Sequence, residues 1–329
     1  MAFSVKKNLA ALYLIKIAKW MNLIMPVIVL FYKSNGLTMK DIFLLQSVYS
    51  LTLMTLEIPT GYFADRTGRK NSILIGASLG FAGYLTYSLS FGFWQFVVAE
   101  IILGISQSLV SGADSAMLYD TLAGGKQTEK YTKLEGRITS IGNFGEAFAG
   151  IIGGLLAVLS LRTPFYVQTC VALIAIPAAL ILTEPPVHSI KRKFGLSEIR
   201  SILYKSLHGD VKLKWNTFFS AITGAATLTM AWFAQPYFGQ IHLPVSMYGV
   251  LWAVLNLSVG VAAIVAWRFE KRFGAPVTVI LFTSALFGAY LTLPLMPGYA
   301  GLGILLVFYL ARGLATPTLR NYINIITTS

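Results

Sequence analysis

Apolar residues in this chain come in long runs separated by short polar connections. Ten runs stand out: 9–31, 41–62, 71–91, 93–118, 137–160, 164–183, 214–237, 244–267, 276–294 and 300–322. About 20 apolar residues in a helix cross a hydrocarbon core of roughly 30 Å, and each run has about that reach. The pattern predicts an all-α polytopic membrane protein with about ten transmembrane helices. The first run follows Lys6 and Lys7. It is too long for a signal-peptide core and lacks a small-residue cleavage site, so it reads as the first span.

One long polar segment, about 184–213, divides the runs six and four. It opens with Pro185-Pro186 and is densely basic, and Phe194, Ile199, Ile202, Leu203 and Leu207 recur in it at helical spacing. Ser197 is placed to cap such a helix. The segment reads as an amphipathic helix on the inner membrane surface, with a plain solvated linker as the alternative. The expected organisation is a six-helix bundle over 1–184, a cytoplasmic linker over 185–212 and a four-helix bundle over 213–329. The second bundle is shorter than the first by about two spans with their connections, as in a six-plus-six plan lacking its last two helices.

Composition narrows the class. Only 12% of residues are charged and 56% are hydrophobic, where soluble domains carry about a quarter charged residues. A disordered chain and a water-soluble globule are excluded. The single cysteine, Cys170, lies in an apolar run and rules out a disulfide framework or a cysteine-based metal site. The net charge of +13 reflects topology. With a cytoplasmic N-terminus, twenty of the 26 basic residues fall on the cytoplasmic side, three outside (Lys33, Lys40, Arg162) and three within spans (Lys16, Lys19, Arg312). The positive-inside rule then puts both termini in the cytoplasm of a multi-pass protein of the cytoplasmic (inner) membrane. The basic loops face anionic lipid, and no nucleic-acid partner is needed to explain the charge.

The connection between the second and third runs reads Gly61-Tyr62-Phe63-Ala64-Asp65-Arg66-Thr67-Gly68-Arg69-Lys70. Gly61 would let the helix pack closely, Gly68 permits a tight reversal, and Asp65 is placed to accept hydrogen bonds from a helix N-terminus. Arg66, Arg69 and Lys70 suit the anionic leaflet. At every specified position this loop resembles the G-x-x-x-D-R-x-G-R-K/R motif of the major facilitator superfamily. Glu57-Ile58-Pro59-Thr60-Gly61 and the end of the fourth run, Gly112 to Asp120, are similar to bacterial members. The resemblance implies an ion pair between Asp120 and Arg69, and a loop that latches an outward-open form. Arg268 to Gly274 is a degenerate second copy of the loop, as parallel repeats imply. Substrate is then expected near the midplane between two bundles that rock in alternating access.

Ionisable groups inside spans cost at least about 2.5 kcal/mol each, so each needs a reason. Glu146 in the fifth run is the first candidate for a proton-coupling or substrate-binding carboxylate, with a structural hydrogen bond or ion pair as the alternative. Glu100 heads a stripe with Gly104, Gln107, Ser111 and Ser115 on one helical face, and Asp114 lies beside it. The stripe reads as pathway lining or as polar glue between helices. Lys16 is expected to snorkel to the interface. Lys19 is placed deeper, to meet Glu146 or a substrate anion, and Arg312 is expected to pair with a carboxylate or substrate. Glu57 is read as a partner of a loop cation. Gly145-x-x-x-Ala149-Gly150-x-x-Gly153-Gly154 resembles a drug–proton antiporter motif of the superfamily, with Ala149 for Gly and Gly150 for Pro.

No phosphate-binding loop, His-Glu-x-x-His or Ser/His/Asp grouping occurs, and His188, His208 and His242 are scattered over loops. An enzyme, a metal site and a cofactor are therefore not expected. The sequence reads as a monomeric secondary transporter of a small molecule, coupled to protons, with drug or metabolite efflux favoured. An inactive truncated product or a membrane scaffold is the alternative.

Overall fold

The computed structural model describes residues 3–186, 211–296 and 298–328, and its regular elements in these stretches are helices joined by short turns and connections. The predicted amphipathic helix around 194–207 lies outside the described residues. Packing divides the chain into two compact units, Met1–Arg192 and Lys193–Ser329.

The first unit holds α1 (Val5–Trp20), α2 (Ile28–Ser34), α3 (Met39–Thr67), α4 (Arg69–Leu89), α5 (Phe93–Val110), α6 (Ala113–Gly124), α7 (Tyr131–Leu159) and α8 (Thr163–Ile181). The second holds α9 (Val211–Gln240), α10 (Val245–Phe273), α11 (Ala275–Thr292) and α12 (Ala300–Thr328). Among the described residues eight helical stretches have membrane-spanning length and apolarity, and Phe144–Leu159 forms a shorter apolar one. The expectation of ten continuous spans is corrected most sharply at the first run, where residues 21–27 are not helical and separate α1 from α2. Pro26 lacks an N–H and disfavours helical backbone in the residue before it. The fourth run also breaks: Gly112 takes φ +77° and separates α5 from α6.

A break at membrane depth frees backbone polar groups that cannot turn to water. At the second break the carbonyls of Ser108 and Leu109 lose their helical partners. The hydroxyl of Thr60 (α3), 2.7 Å from Leu56 O of its own helix, also reaches Ser108 O at 2.9 Å, and that of Ser72 (α4) donates to Leu109 O at 2.7 Å. At the first break Leu23 N–H donates to the buried side-chain oxygen of Gln168 (α8) at 2.9 Å. Small residues make room for these irregular segments. The Leu23 carbonyl occupies the space a Cβ on Gly153 would need, and the Trp20 ring lies 2.7 Å from where one on Gly142 would sit. The glycine run of α7 thus seats the interrupted first span.

Elsewhere packing follows the rule for helices in lipid: small residues let backbones approach. A Cβ on Gly76 or Gly83 of α4 would lie 2.6 Å from Val110 or Leu103 of α5. In the second unit Gly313 of α12 abuts the Val259 carbonyl of α10. The Tyr237 hydroxyl (α9) donates to the carbonyl of Gly298 at 2.5 Å and lies 3.1 Å from that of Met296.

Both units reverse direction by the same device. Gly68, at φ +101° and ψ 143°, is at once the cap of α3 and the start of α4, and Gly274, at φ 78° and ψ 162°, does the same between α10 and α11. That region of the backbone map is open essentially to glycine alone.

Candidate functional site

Charged side chains gather in the first unit where α1, α6 and α7 meet, beside the two breaks. Lys16 of α1 is buried and pairs with Glu135 of α7, its Nζ 2.8 and 3.0 Å from the two carboxylate oxygens and 3.3 Å from Ser115 Oγ of α6. Ser115 Oγ also donates to Glu135 Oε1 at 3.0 Å. The expected snorkelling of Lys16 is therefore corrected. Its carboxylate partner comes from an α7 that begins at Tyr131, earlier than the apolar run starts.

One turn along α1, Lys19 Nζ lies 3.6 Å from Asp114 Oδ2, with side chains 30% and 9% exposed respectively. Asp114 sits in the first turn of α6, where its other oxygen accepts the N–H of Ser115 at 2.6 Å. A carboxylate there complements the positive end of the helix dipole. Glu146 is half-buried on α7, four residues beyond the glycine that faces Trp20.

Glu100 occupies the opposite end of this unit. It is 4% exposed, and its Oε1 accepts from Tyr87 Oη at 2.7 Å, Tyr32 Oη at 2.9 Å and Gln46 Nε2 at 3.1 Å. One carboxylate thus ties together α2, α3, α4 and α5. Around it pack Phe31, Tyr32, Tyr87, Phe96 and Phe165, with ring centroids as close as 3.9 Å. Arg162 closes this end: it donates to Ser88 O, Ser90 O and Asn35 Oδ1, each at 2.8 Å, and its guanidinium lies 3.9 Å from the Phe91 ring centroid.

The stripe running from Glu100 to Ser115 does not form one lining face. Gly104 packs against α3, where a Cβ would meet Thr52 at 2.9 Å, and the turn at Gly112 redirects the chain before Ser115. Gln107 is half-buried.

The connection Gly61–Lys70 is anchored within its own unit. Arg69 Nη1 lies 2.5 Å from Asp120 Oδ2, and the two side chains are 17% and 14% exposed. A core of Leu12, Ile15, Ala64, Ile73, Met117, Leu118 and Leu182 packs beneath. Asp65 is exposed and 4.0 Å from Arg69. The N–H at the start of α4 goes to a different carboxylate, as Lys70 N donates to Glu184 Oε1 at 2.7 Å. Gly68, lacking a Cβ, leaves space for the Glu184 carboxylate. Arg66 is exposed. No described atom lies within 4 Å of where a Cβ on Gly61 would sit, so close packing at that glycine is not observed. Glu57 is likewise exposed.

In the second unit Arg312 is half-buried on α12, its guanidinium 5.7 Å from the Tyr309 ring centroid. The residues the sequence reading missed are Glu135, Ser115's partnership with it, Gln168 and Glu184. Glu135 and Glu184 stand in polar connections that look solvated. Their roles depend on what folds beside them. Among the described residues no cluster of His, Cys, Asp and Glu is arranged to hold a metal ion.

Comparison with known proteins agrees with this architecture. Staphylococcus aureus (strain MRSA252) quinolone resistance protein NorA is 24% identical over 240 residues, covering 73% of this chain. The chain spans 58% of that relative's length. An MFS-type transporter of Bacillus subtilis (strain 168), YxaM, is 26% identical over 92% of this chain and 77% of its own. Among solved structures the nucleoside transporter NupG superposes with a TM-score of 0.82 at 14% identity, covering 98% of this chain and 82% of its own. A D-xylose–proton symporter superposes with a TM-score of 0.66 at 15% identity, covering 94% and 80%. The profile of the Major Facilitator Superfamily matches residues 10–327, and the chain belongs to that superfamily.

Proposed function

We propose that this protein is a proton-coupled secondary transporter that moves a small molecule across the cytoplasmic membrane by alternating access. The observation that carries the reading is the gathering of Lys16, Lys19, Asp114 and Glu135 beside two helix breaks, one between α1 and α2 and one within the membrane-length stretch Phe93–Gly124. Charged groups inside a bilayer cost several kcal/mol unless used or paired, and discontinuous helices are where transporters build sites. The quinolone resistance named for the relative supports outward drug transport. Glu146, half-buried on the same helix as Glu135, is the coupling carboxylate in this reading, with Gln107 and Arg312 as further pathway contacts. The six-helix and four-helix bundles, the 185–212 linker, the cytoplasmic termini and a monomeric state complete it. The Gly61–Lys70 connection serves as the conformational gate.

The test is flux in proteoliposomes of the full chain with a quinolone as probe and an imposed pH gradient. Gradient-driven flux that Glu146→Gln abolishes is the expected result. Flux no greater than in protein-free liposomes overturns the proposal.

A further inference from the structure

The two lysines of α1 are held differently. Lys16 is buried and satisfied by three oxygen contacts at 2.8, 3.0 and 3.3 Å. Lys19 is 30% exposed and stands 3.6 Å from its carboxylate, beyond a good N⁺–H···O⁻ hydrogen bond of about 2.7–2.9 Å. Asp114 is the more enclosed partner, and its other oxygen is committed to the backbone of α6 at 2.6 Å. The member of the pair that an incoming molecule meets is therefore the cation. Trp20, next to Lys19, lies flat on the space left by Gly142 and offers an apolar wall.

We propose that Lys19 is the recognition cation for the anionic group of an amphipathic carboxylic acid, and that Asp114 is the resident anion which that group replaces. The inference rests on the transporter reading and names its substrate class. The exchange is one of ion-pair partners alone, the incoming carboxylate for Asp114 on Lys19, and no covalent bond forms or breaks.

The ionisable groups on the elements around α6 fit this assignment. Lys16 stays with Glu135, Glu146 lies further along α7, Arg137 is exposed, and Arg69 of α4 is taken by Asp120. Asp114 is thus the acid paired with the more accessible cation.

The experiment uses the full chain in lipid nanodiscs, titrated calorimetrically with 1-naphthoate and with uncharged 1-naphthamide. Naphthoate is expected to bind at least about tenfold more tightly than the amide. Lys19→Gln should erase the preference for the acid and Lys19→Arg should restore it. Asp114→Asn, which removes the competing anion, should bind naphthoate more tightly. No binding of naphthoate, an acid preference that survives in folded Lys19→Gln, or an affinity for naphthoate that Asp114→Asn does not raise overturns the proposal. Should Lys19→Gln fail to fold, Lys19→Arg and Asp114→Asn carry the test. This binding pattern in a protein that moves no substrate defeats the transporter reading alone. Quinolone flux without an acid preference defeats only this one.

Discussion

Glu100 is where a structural and a functional role make opposite predictions. Its Oε1 collects three donors, at 2.7, 2.9 and 3.1 Å, from three different helices. Replacing it with Leu keeps the volume roughly constant and strands Tyr32, Tyr87 and Gln46 together. Interhelical hydrogen bonds in membrane proteins contribute about 0.6 kcal/mol on average and up to about 1.7 kcal/mol. Three of them give about 2–5 kcal/mol. Glu100→Gln keeps an acceptor oxygen and should cost about 1 kcal/mol, the scale of a single altered hydrogen bond. Reversible unfolding in mixed micelles of increasing SDS fraction, read by tryptophan fluorescence, measures both. A cycle with Tyr32→Phe and Tyr87→Phe should be strongly non-additive, because all the variants act on one oxygen. Glu100→Leu within about 0.5 kcal/mol of wild type, or additive cycles, would refute the assignment of Glu100 as a cross-link. A coupling role alone would appear as the reverse pattern: intact stability with proton-driven flux lost in Glu100→Gln.

Two further outcomes follow from the geometry. Gly68→Ala and Gly274→Ala both force an alanine into backbone that only glycine adopts easily, at a cost of about 1–3 kcal/mol each. Gly68→Ala should be the worse in the same unfolding assay, because its Cβ meets the Glu184 carboxylate, whereas nothing closer than 4.0 Å awaits the one at Gly274. Arg69→Ala or Asp120→Ala should each destabilise by about 1–3 kcal/mol, less than a fully buried pair because both side chains keep some solvent. The double variant should be milder than the sum, and equal additivity would mean the pair is not coupled.

The superfamily was legible in the sequence because its signals are local. A run of apolar residues declares a span whatever its neighbours do, and the loop from Gly61 to Lys70 is a short fixed spacing that one glycine closes. Gly68 and Gly274 each needed only their own backbone conformation to act. The sequence also shows that the basic residues concentrate in alternate connections, which is a property of order along the chain.

What the sequence did not determine were the partners. Lys16 and Glu135 stand 119 residues apart, and Asn8 and Thr183, joined through Asn8 Oδ1, stand 175 apart. No periodicity links such positions. The apolarity of the first and fourth runs hid the breaks at 21–27 and at Gly112, because a freed backbone group leaves no mark on hydropathy. These breaks are tolerable only because Thr60, Ser72 and Gln168 arrive from other helices, and because Gly142 and Gly153 leave room. A hydrogen-bonding group in lipid has no water to fall back on, so its partner must come from within the fold. The chain's order therefore determined that it spans a membrane, whereas the fold alone decided which lysine is locked to its carboxylate and which is held loosely.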